Sequence, residues 1–411
     1  MAGWQPGKRC NGNTKRRFVR AFVAHAGAGV FAVLLAACGG SPSYDQPAAS
    51  TGMSPAAQLG EKVFSDRSLS ASRGQACASC HDPANVHAPS NPLAAQLGGP
   101  NLKLQGVRQA PSVRYLRFNT AFFVDSEGTP TGGFFWDGRA QSLQAQAAEP
   151  FLNPFEMAMP SKAAVVQRLS QATYATEFRN VFGSNIFADV DLAYDRMTFA
   201  LAQYQKEDGE FAEFTSKYDA FLRGQATLAA QELRGLALFN APNKGNCAGC
   251  HPSAKGADGS LPLFTDFTYD NLGVPRNPDL QANADPAHFD LGLCARPDGS
   301  LSARTDLCGA FKVPSLRNVG LRHTFFHNGQ FKTLKDALTF YVQRDTNPEK
   351  FYPTVSGVVQ KFNDLPPQYH PNVNRTEAPY NRNPGDAPAL TDAEIDDLVV
   401  FLDALSDGFV P

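Results

Sequence analysis

The sequence predicts an all-α protein of two tandem domains with long loops. The pattern Cys-x-x-Cys-His occurs twice, at residues 77–81 and 247–251. Each copy follows a segment of pattern Gly-x-x-(Val/Leu)-Phe, at residues 60–64 and 235–239, whose spacing is helical. The 34 glycines and 30 prolines indicate long connections, and we find no series of alternating strands in the sequence. We therefore expect one helix-and-loop unit used twice.

Further helices can be placed along the chain. Residues 193–205 carry apolar side chains at three- and four-residue spacing, which predicts an amphipathic helix. A further helix is predicted over residues 335–342. Thr391 and Glu394 form a capping box that opens a helix ending at Leu405, and we expect its apolar stripe to pack on the helix of residues 235–239. We expect the domains to span residues 55–220 and 221–411.

The N-terminus predicts export from the cytoplasm. Positive residues up to Arg20 precede an apolar run over residues 21–37, which is typical of a secretory signal. The run ends before Cys38, so we expect signal cleavage and a lipidated Cys38 at the mature N-terminus; an ordinary signal peptide and an uncleaved anchor are the alternatives. Residues 38–54 are rich in Gly, Ser, Pro and Ala and predict a flexible tether. The secretory signal predicts a periplasmic location. Gly39, which follows the cysteine, favours the outer membrane. We expect contact with that membrane through the lipid only.

Charge and the remaining cysteines narrow the function. The 411 residues carry a formal net charge of −2, and the part after the signal has no basic stretch, so a nucleic-acid partner is not expected. Cys294 and Cys308 lie in a loop rich in Gly, Asp and Pro. In an oxidising compartment we expect them to form a disulfide, with two free thiols as the alternative.

The two Cys-x-x-Cys-His motifs predict two covalent c-type haems. In such motifs two thiols attach the porphyrin and the adjacent histidine binds the iron. The residues that this assigns are Cys77, Cys80 and His81, and Cys247, Cys250 and His251. A zinc site built from paired Cys-x-x-Cys is the alternative, but it needs no histidine after each pair. Each half resembles the first helix and haem loop of a cytochrome c domain, so we expect redox chemistry.

Four further segments carry a family resemblance. They are Phe-Phe-Trp-Asp-Gly-Arg at 134–139, Asn-Pro-Phe-Glu-Met at 153–157, Phe-Lys-Val-Pro-Ser-Leu-Arg-Asn at 311–318 and Phe-His-Asn-Gly at 326–329. In this order, with two haem motifs, the chain from about residue 56 resembles the bacterial di-haem cytochrome c peroxidase family, which includes MauG. The resemblance implies that the N-terminal haem reacts with peroxide and that the C-terminal haem receives and stores electrons.

The resemblance also implies roles for four residues of the first half. Trp136 matches a tryptophan between the haems, which implies an electron relay; a core aromatic is the alternative. Glu156 matches the distal glutamate, a carboxylate suited to moving the protons of peroxide. An N-cap or a surface charge is the alternative for Glu156. Gln146 and Pro150 match other positions of the distal pocket.

The sixth iron ligands decide the branch of the family. Many family peroxidases use a methionine at the C-terminal iron, but no methionine follows residue 197. Tyr341 matches the axial tyrosine of MauG, and tyrosinate stabilises ferric and higher iron states. The alternative is that Tyr341 only packs nearby and that a histidine binds; the candidates are His323, His327 and His370. His87 follows His81 too closely to reach across the ring, so we expect an N-terminal iron open to peroxide.

The resemblance further implies a calcium ion between the two domains. The family's ligands are an asparagine side chain and two backbone carbonyls, and the matching positions here are Gln109, Arg322 and Thr324. Carbonyl ligands tolerate any residue, but the asparagine has become a glutamine, which is one methylene longer. Oxygen ligands of this kind keep calcium plausible.

Three functions follow from these patterns. We expect a hydrogen-peroxide reductase that draws electrons from a small periplasmic redox protein, either a cytochrome c or a cupredoxin. A MauG-like oxidase of tyrosine or tryptophan side chains in a partner protein is the second hypothesis, which Tyr341 favours. A lipid-tethered, non-enzymatic electron-transfer cytochrome is the third, and Glu156 argues against it.

Overall fold

The computed structural model describes residues 52–410, which form a mostly helical fold. The predicted signal peptide, Cys38 and most of the predicted tether lie outside the described residues. The α-helices of the described part are α1 Pro55–Ser65, α2 Cys77–Cys80, α3 Leu143–Leu152, α4 Lys162–Leu169, α5 Ala175–Phe182, α6 Val190–Glu207, α7 Lys217–Leu222, α8 Ala230–Asn240, α9 Leu334–Gln343 and α10 Asp392–Asp403. Short 3-10 turns occupy many of the connections.

The described strands have two residues each and form four antiparallel pairs. They are β1 Leu97–Gly98, β2 Leu104–Gln105, β3 Phe123–Val124, β4 Pro130–Thr131, β5 Tyr269–Asp270, β6 Phe311–Lys312, β7 Thr354–Val355 and β8 Val358–Val359. Each pair follows the simple chain order β1–β2, β3–β4, β5–β6 and β7–β8. The fold is therefore mostly helical, as the sequence predicts, but it also has four small sheets that the all-α prediction did not include.

The helices predicted from periodicity and capping are confirmed. α6 contains the predicted residues 193–205, and α9 contains 335–342. At α10 the capping box is present: the Glu394 N–H donates to Thr391 Oγ1 at 3.3 Å, and the Thr391 N–H donates to the Glu394 carboxylate at 2.9 Å. Its buried stripe includes Ile395 and Leu402, and it faces α8.

Two helix pairs repeat the same close crossing. α1 packs against α6, and α8 packs against α10. A Cβ atom added to Gly60 would collide with the backbone of α6, 2.6 Å from the Ala200 carbonyl carbon. A Cβ added to Gly235 would collide with α10 in the same way, 2.6 Å from Phe401 Cβ. The glycine of each Gly-x-x-(Val/Leu)-Phe segment is thus required because it lets two helix backbones touch.

Each helix pair has its own apolar core. The first cluster takes side chains from α1 and α3 to α6 and ends along the chain at Phe211. The second takes side chains from α8, α9 and α10 and begins at Tyr218. α7 crosses the predicted boundary after residue 220, and its Tyr218 belongs to the second cluster. The change between cores therefore falls between Phe211 and Tyr218.

Loops after each haem motif also repeat. In residues 111–114 and 314–317, both Pro-Ser-(Val/Leu)-Arg, the serine hydroxyl accepts a hydrogen bond from the arginine N–H at 3.2 Å. In residues 134–138 and 325–329 the second phenylalanine has a φ of 66° in both copies. An N-capping Ser142 then opens α3, and Thr333 opens α9. The duplication therefore extends well beyond the haem motifs.

A disulfide bond joins Cys294 to Cys308, the pair that the sequence predicts. Both cysteines are buried in a small cluster with Leu293 and Leu307. The bond closes a loop that lies next to β6.

Within residues 52–410, no helix is long and apolar enough to cross a membrane.

Candidate functional site

Both Cys-x-x-Cys-His motifs open into one continuous cavity of about 1000 Å³. Its walls also contain Trp136, Glu156 and Tyr341, three of the residues that the sequence singles out. The motif residues in the wall are Cys77, Cys80, His81, Cys247, Cys250 and His251. Residues about 170 positions apart in the chain therefore share one cavity.

In both motif histidines the Nδ1 nitrogen faces other protein atoms. His251 Nδ1 lies 2.7 Å from the carbonyl oxygen of Phe264, which leaves Nε2 for another partner. His81 Nδ1 is buried without a hydrogen-bond partner in the described part of the chain. Burial lowers the pKa of both histidines to about 4, so both rings are neutral at pH 7. A neutral imidazole nitrogen is the form that binds a metal.

The cavity fits haem better than zinc. Burial raises the pKa of Cys77, Cys80 and Cys247 to about 12. A structural zinc site gathers about four Cys or His ligands around one point. In residues 52–410 no group of three or more His, Cys, Asp or Glu side chains could hold a metal ion. Two Cys-x-x-Cys pairs on the wall of a large cavity, each followed by a neutral imidazole, suit two porphyrins instead.

Glu156 lies in the turn between α3 and α4. Its N–H donates to the Asn153 carbonyl oxygen at 3.0 Å. Burial raises the pKa of Glu156 to about 6, an effect that Arg139 opposes and Glu149 reinforces. The N-cap of α4 is Ser161, so Glu156 is not an N-cap. The carboxyl group therefore faces the cavity with a pKa close to the working pH of many acid–base catalysts.

Arg139 is a charged neighbour of Glu156 whose role sequence reasoning missed. Its guanidinium pairs with Glu149 at 2.8 Å and with Asp137 at 3.0 Å. It also lies 3.6 Å from the centroid of the Phe135 ring. These contacts fix a positive charge in the cavity wall. The sequence signal that could have identified Arg139 is its position in the same motif as Trp136, three residues further along the chain.

Gln146 and Pro150 both project from α3, and both line the cavity as predicted. The Pro150 carbonyl oxygen accepts the Met157 N–H at 3.1 Å, which ties the end of α3 to the turn that carries Glu156. One helix and its following turn thus present the predicted distal residues together.

Trp136 connects the two halves of the molecule through hydrogen bonds. Its indole Nε1–H donates to the Gln109 carbonyl oxygen at 2.8 Å. Its own carbonyl oxygen accepts the Lys312 N–H at 2.9 Å. The Gln109 N–H donates to the His327 carbonyl oxygen at 2.7 Å. Trp136 is thus more than a core aromatic, because it lies in the cavity wall where the halves meet.

His327 is the counterpart of Trp136 in the second half. It stands third in Phe-Phe-His-Asn-Gly, where Trp136 stands third in Phe-Phe-Trp-Asp-Gly, and it also lines the cavity. Its ring stacks on Phe311 with 3.5 Å between centroids, and burial lowers its pKa to about 4. Sequence reasoning had treated it only as an alternative iron ligand. Comparison of the two pentapeptides would have revealed the equivalence.

Tyr341 reaches the cavity from α9, on the side of the second motif. Its ring centroid lies 5.4 Å from Phe326 and 6.1 Å from Tyr380. Burial raises its pKa well above the usual value for tyrosine, so the phenol is protonated at pH 7. Of the alternative histidines, His323 and His370 are not in the cavity wall, which leaves His327 as the competing candidate.

His87 is completely buried but does not line the cavity. Its ring packs against Phe211 at 4.1 Å, and its Nδ1 lies 3.4 Å from Arg114 Nε. It therefore belongs to the first core. This position agrees with the prediction that His87 does not reach across the first haem.

The three residues expected at a calcium ion all line the same cavity. Gln109 and Thr324 are buried. Arg322 Nη2 donates to the Ala110 carbonyl oxygen at 3.1 Å, so the two segments are adjacent although they lie far apart in the chain. The structure therefore brings the segments together, with a guanidinium beside them and no carboxylate among the three residues.

Comparisons with known proteins agree with this geometry. Residues 54–227 match the family described as di-haem cytochrome c peroxidase. MauG of Paracoccus denitrificans is 37% identical over 360 residues, which cover 85% of this chain and 88% of that protein. Cytochrome c551 peroxidase of Nitrosomonas europaea is 31% identical over 304 residues, or 74% and 77% of the two chains. The crystal structure of the diheme peroxidase BthA from Burkholderia thailandensis is 40% identical, covers 86% of each chain and has a TM-score of 0.79.

These similarities extend over most of the chain and include relatives named for peroxide reduction. They agree with a cavity that joins two haem motifs and contains an acid, an indole and a phenol. The chain therefore belongs to the di-haem cytochrome c peroxidase family of oxidoreductases, which bind two haems and use peroxide.

Proposed function

We propose that this protein reduces hydrogen peroxide to water with electrons from a small redox protein, either a cytochrome c or a cupredoxin. The observation that carries the proposal is the single cavity, because it joins both Cys-x-x-Cys-His motifs to Glu156 and Trp136. We assign residues 55–220 to a peroxide-reacting cytochrome c-type domain and residues 221–411 to an electron-transfer domain. The two separate apolar cores support two domains, although Tyr218 already packs in the second core, slightly ahead of the assigned boundary.

The residues that would hold the haems follow from the cavity wall. Cys77 and Cys80 would attach the first haem, with His81 toward its iron. Cys247, Cys250 and His251 would do the same for the second haem. When bound, the haems supply the redox-active irons on which peroxide is reduced. The reaction takes two electrons and two protons for each peroxide and releases two waters.

Glu156 is the group that we propose moves the protons. A peroxide must lose a proton from one oxygen, and the departing oxygen must gain one. A carboxyl group with a pKa of about 6 can do both near neutral pH. Gln146 lines the same cavity from α3 and would orient the peroxide by hydrogen bonds.

Trp136 is the residue that we propose relays electrons between the halves. It is hydrogen-bonded to Gln109 of the first half and Lys312 of the second. An indole in the cavity wall between the two halves would shorten the distance that an electron must cross in one step. The hydrogen bond from the indole to Gln109 restrains the orientation of the ring.

A second function is favoured by one observation. Tyr341 lines the same cavity as the second motif, and we propose that it would bind the second iron. This arrangement, together with the 37% identity to MauG, supports an oxidase that uses peroxide to oxidise tyrosine or tryptophan side chains of a partner protein. A purely electron-transferring cytochrome is less favoured, because it has no use for Glu156.

The experiment that separates these functions mixes the haem-loaded protein with hydrogen peroxide, with and without reduced small cytochrome c. Rapid, catalytic oxidation of the cytochrome supports peroxide reduction. A long-lived oxidised spectrum with slow oxidation of the cytochrome supports the protein oxidase. If peroxide changes neither the spectrum nor the cytochrome, both proposals are wrong and electron transfer alone remains.

We also propose a periplasmic location with a lipid anchor on Cys38. The support is the order of charged, apolar and Cys38 positions in the sequence. Mass spectrometry of the mature N-terminus tests it: a lipid-modified peptide beginning at Cys38 is expected, and an unmodified Cys38 or an intact leader would contradict the proposal.

Calcium remains a separate proposal for Gln109, Arg322 and Thr324. The donors would be uncharged oxygens, which calcium accepts, but fewer charged ligands mean weaker binding. The nearby Arg322 guanidinium weakens it further. Metal analysis before and after dialysis against EGTA tests the proposal; a protein that never contains calcium would contradict it.

A further inference from the structure

The backbone carbonyl of Glu156 accepts two hydrogen bonds from different parts of the chain. The Gly99 N–H donates to it at 2.8 Å from the turn that follows β1. The side-chain amide of Gln75 donates to the same oxygen from the other direction. Gln75 is buried and stands two residues before Cys77. The peptide that carries Glu156 is therefore tied both to the first haem loop and to the β1–β2 hairpin.

Steric contact makes the same connection from the hairpin side. A Cβ atom added to Gly98 would collide with the Phe155 carbonyl oxygen and would lie 2.8 Å from the Glu156 carbonyl oxygen. Backbone atoms of this turn cannot move aside as a flexible side chain would. Gly98 is therefore needed because the hairpin lies directly against the Glu156 peptide.

A third contact restrains the next residue. The Ala71 N–H donates to the Met157 carbonyl oxygen at 2.8 Å. Residues 71–75 therefore hydrogen-bond to two successive peptides of the Glu156 turn, just before the first haem motif begins. The attachment loop of the first haem and the acid cannot shift independently.

We propose that Gln75 and the β1–β2 hairpin act as a clamp that positions Glu156 relative to the first haem loop. Gln75 and Gly98 are positioning residues, since neither needs to touch peroxide. The inference rests on the proposed function, in which Glu156 moves the protons of peroxide. A carboxyl group on an unrestrained turn would lose the alignment that proton transfer requires.

The clamp is tested with two variants that reach the same peptide from opposite sides. Gln75→Leu removes the amide donor and keeps most of the side-chain volume. Gly98→Ala adds a methyl group that should push the β1–β2 hairpin away from the turn that carries Glu156. Both are expected to slow the reaction with peroxide by about 10-fold to 100-fold, the range that follows from a displacement of roughly 1 Å. Both should move the pH midpoint of that reaction and speed amide hydrogen exchange at Gly99.

A matched control separates positioning from general damage. A Cβ at Gly209 would meet nothing within 4 Å, so Gly209→Ala should react with peroxide like the parent. Haem content and the spectrum of the second haem should be unchanged in all three variants. If Gly98→Ala does not fold, Gln75→Leu alone decides. Parent-like rates and pH midpoints in the folded clamp variants would overturn the proposal, even if they unfold at lower temperature.

Glu156→Gln distinguishes the clamp from the function beneath it. If this variant is slow and the clamp variants are like the parent, the clamp proposal fails and the role of Glu156 stands. If Glu156→Gln itself reacts like the parent, the proposed proton transfer is wrong and the clamp loses its purpose. Slow reaction in Glu156→Gln, Gln75→Leu and Gly98→Ala supports both.

Discussion

Glu156 combines partial burial with two opposing charged neighbours. Burial and Glu149 raise its pKa, and Arg139 lowers it, with a result of about 6. The negative form, which can accept a proton from peroxide, is therefore scarce below pH 6 and dominant above it. The pH dependence of the peroxide reaction should therefore report the charge state of Glu156.

The first prediction concerns the pH dependence of the reaction. The rate of the peroxide reaction should rise with pH, with a midpoint near the Glu156 pKa of about 6. Glu156→Gln should lower the rate by about 100-fold, within the usual range for general acid–base groups, and remove the midpoint. Stopped-flow mixing between pH 4.5 and 8 measures both. A midpoint that persists in Glu156→Gln would assign it to another group.

The second prediction concerns Tyr341. Tyr341→Phe removes the phenol oxygen but keeps the ring that packs against Phe326. If Tyr341 is the axial ligand, the spectrum of the second haem should change and that of the first should not. His327→Gln is the comparison, because His327 is the other candidate in the cavity wall. A change only in His327→Gln would identify the histidine as the ligand instead.

Single residues differ in how well the sequence predicts them. Cys77, His81 and their counterparts follow from a motif whose chemistry fixes the spacing. His327 lies within a recognisable motif, yet its contact with Gln109 comes from a distant segment and cannot be seen in the sequence. The partners of Arg139 are near it in the chain, but the sequence does not show that they place its charge in the cavity wall. Gln75 is a still harder case, because its partner is a backbone oxygen far along the chain.

At the scale of elements, packing between helices is the feature that repeats. α6 and α10 were predictable because their buried positions follow helical periodicity. The β pairs were not predictable, since strands of two residues show no alternation and are held by loops around them. The sequence therefore predicts long helices and misses elements that depend on tertiary contacts.

The third prediction tests the helix crossings. Gly60→Ala places a methyl group against the α6 backbone, and Gly235→Ala does so against α10. Overpacking of this kind should lower the free energy of unfolding by about 2–3 kcal/mol in each variant. Denaturant unfolding of the haem-loaded protein measures the loss, with Gly209→Ala as the control whose added methyl meets nothing within 4 Å. Equal stability of all three variants would contradict the close crossing.

At the scale of the whole molecule, two similar halves have different chemistry. Equivalent loop positions hold Trp136 in one half and His327 in the other, both in the cavity wall. The turn after α3 carries Glu156 in the first half, whereas α9 presents Tyr341 to the cavity in the second. The sequence predicts this inequality through its resemblance to the family, because the two haem motifs themselves are alike. It does not predict how the halves are joined, because the contacts involve the last residues of the chain.

Asp407 is the most connected of those contacts. Its carboxylate accepts bonds from Tyr115 Oη at 2.8 Å and Asn318 Nδ2 at 2.7 Å, which occupy equivalent left-handed positions in the two halves. It also accepts the Thr215 N–H at 3.1 Å, in the segment that links the cores. The side chain is only 2% exposed, so these bonds are protected from water. One carboxylate thus fastens both halves and their connection.

The fourth prediction follows from that position. Asp407→Ala leaves the Tyr115 hydroxyl and Asn318 amide without their acceptor, which should cost about 3 kcal/mol of the free energy of unfolding. Because each half keeps its own core, unfolding should change from one transition to two, which calorimetry and the two haem spectra can follow separately. Asp386→Ala is the control, since Asp386 accepts the Asn383 N–H within its own turn. A single, unshifted transition in Asp407→Ala would show that the cavity walls and bound haems, not this carboxylate, hold the halves together.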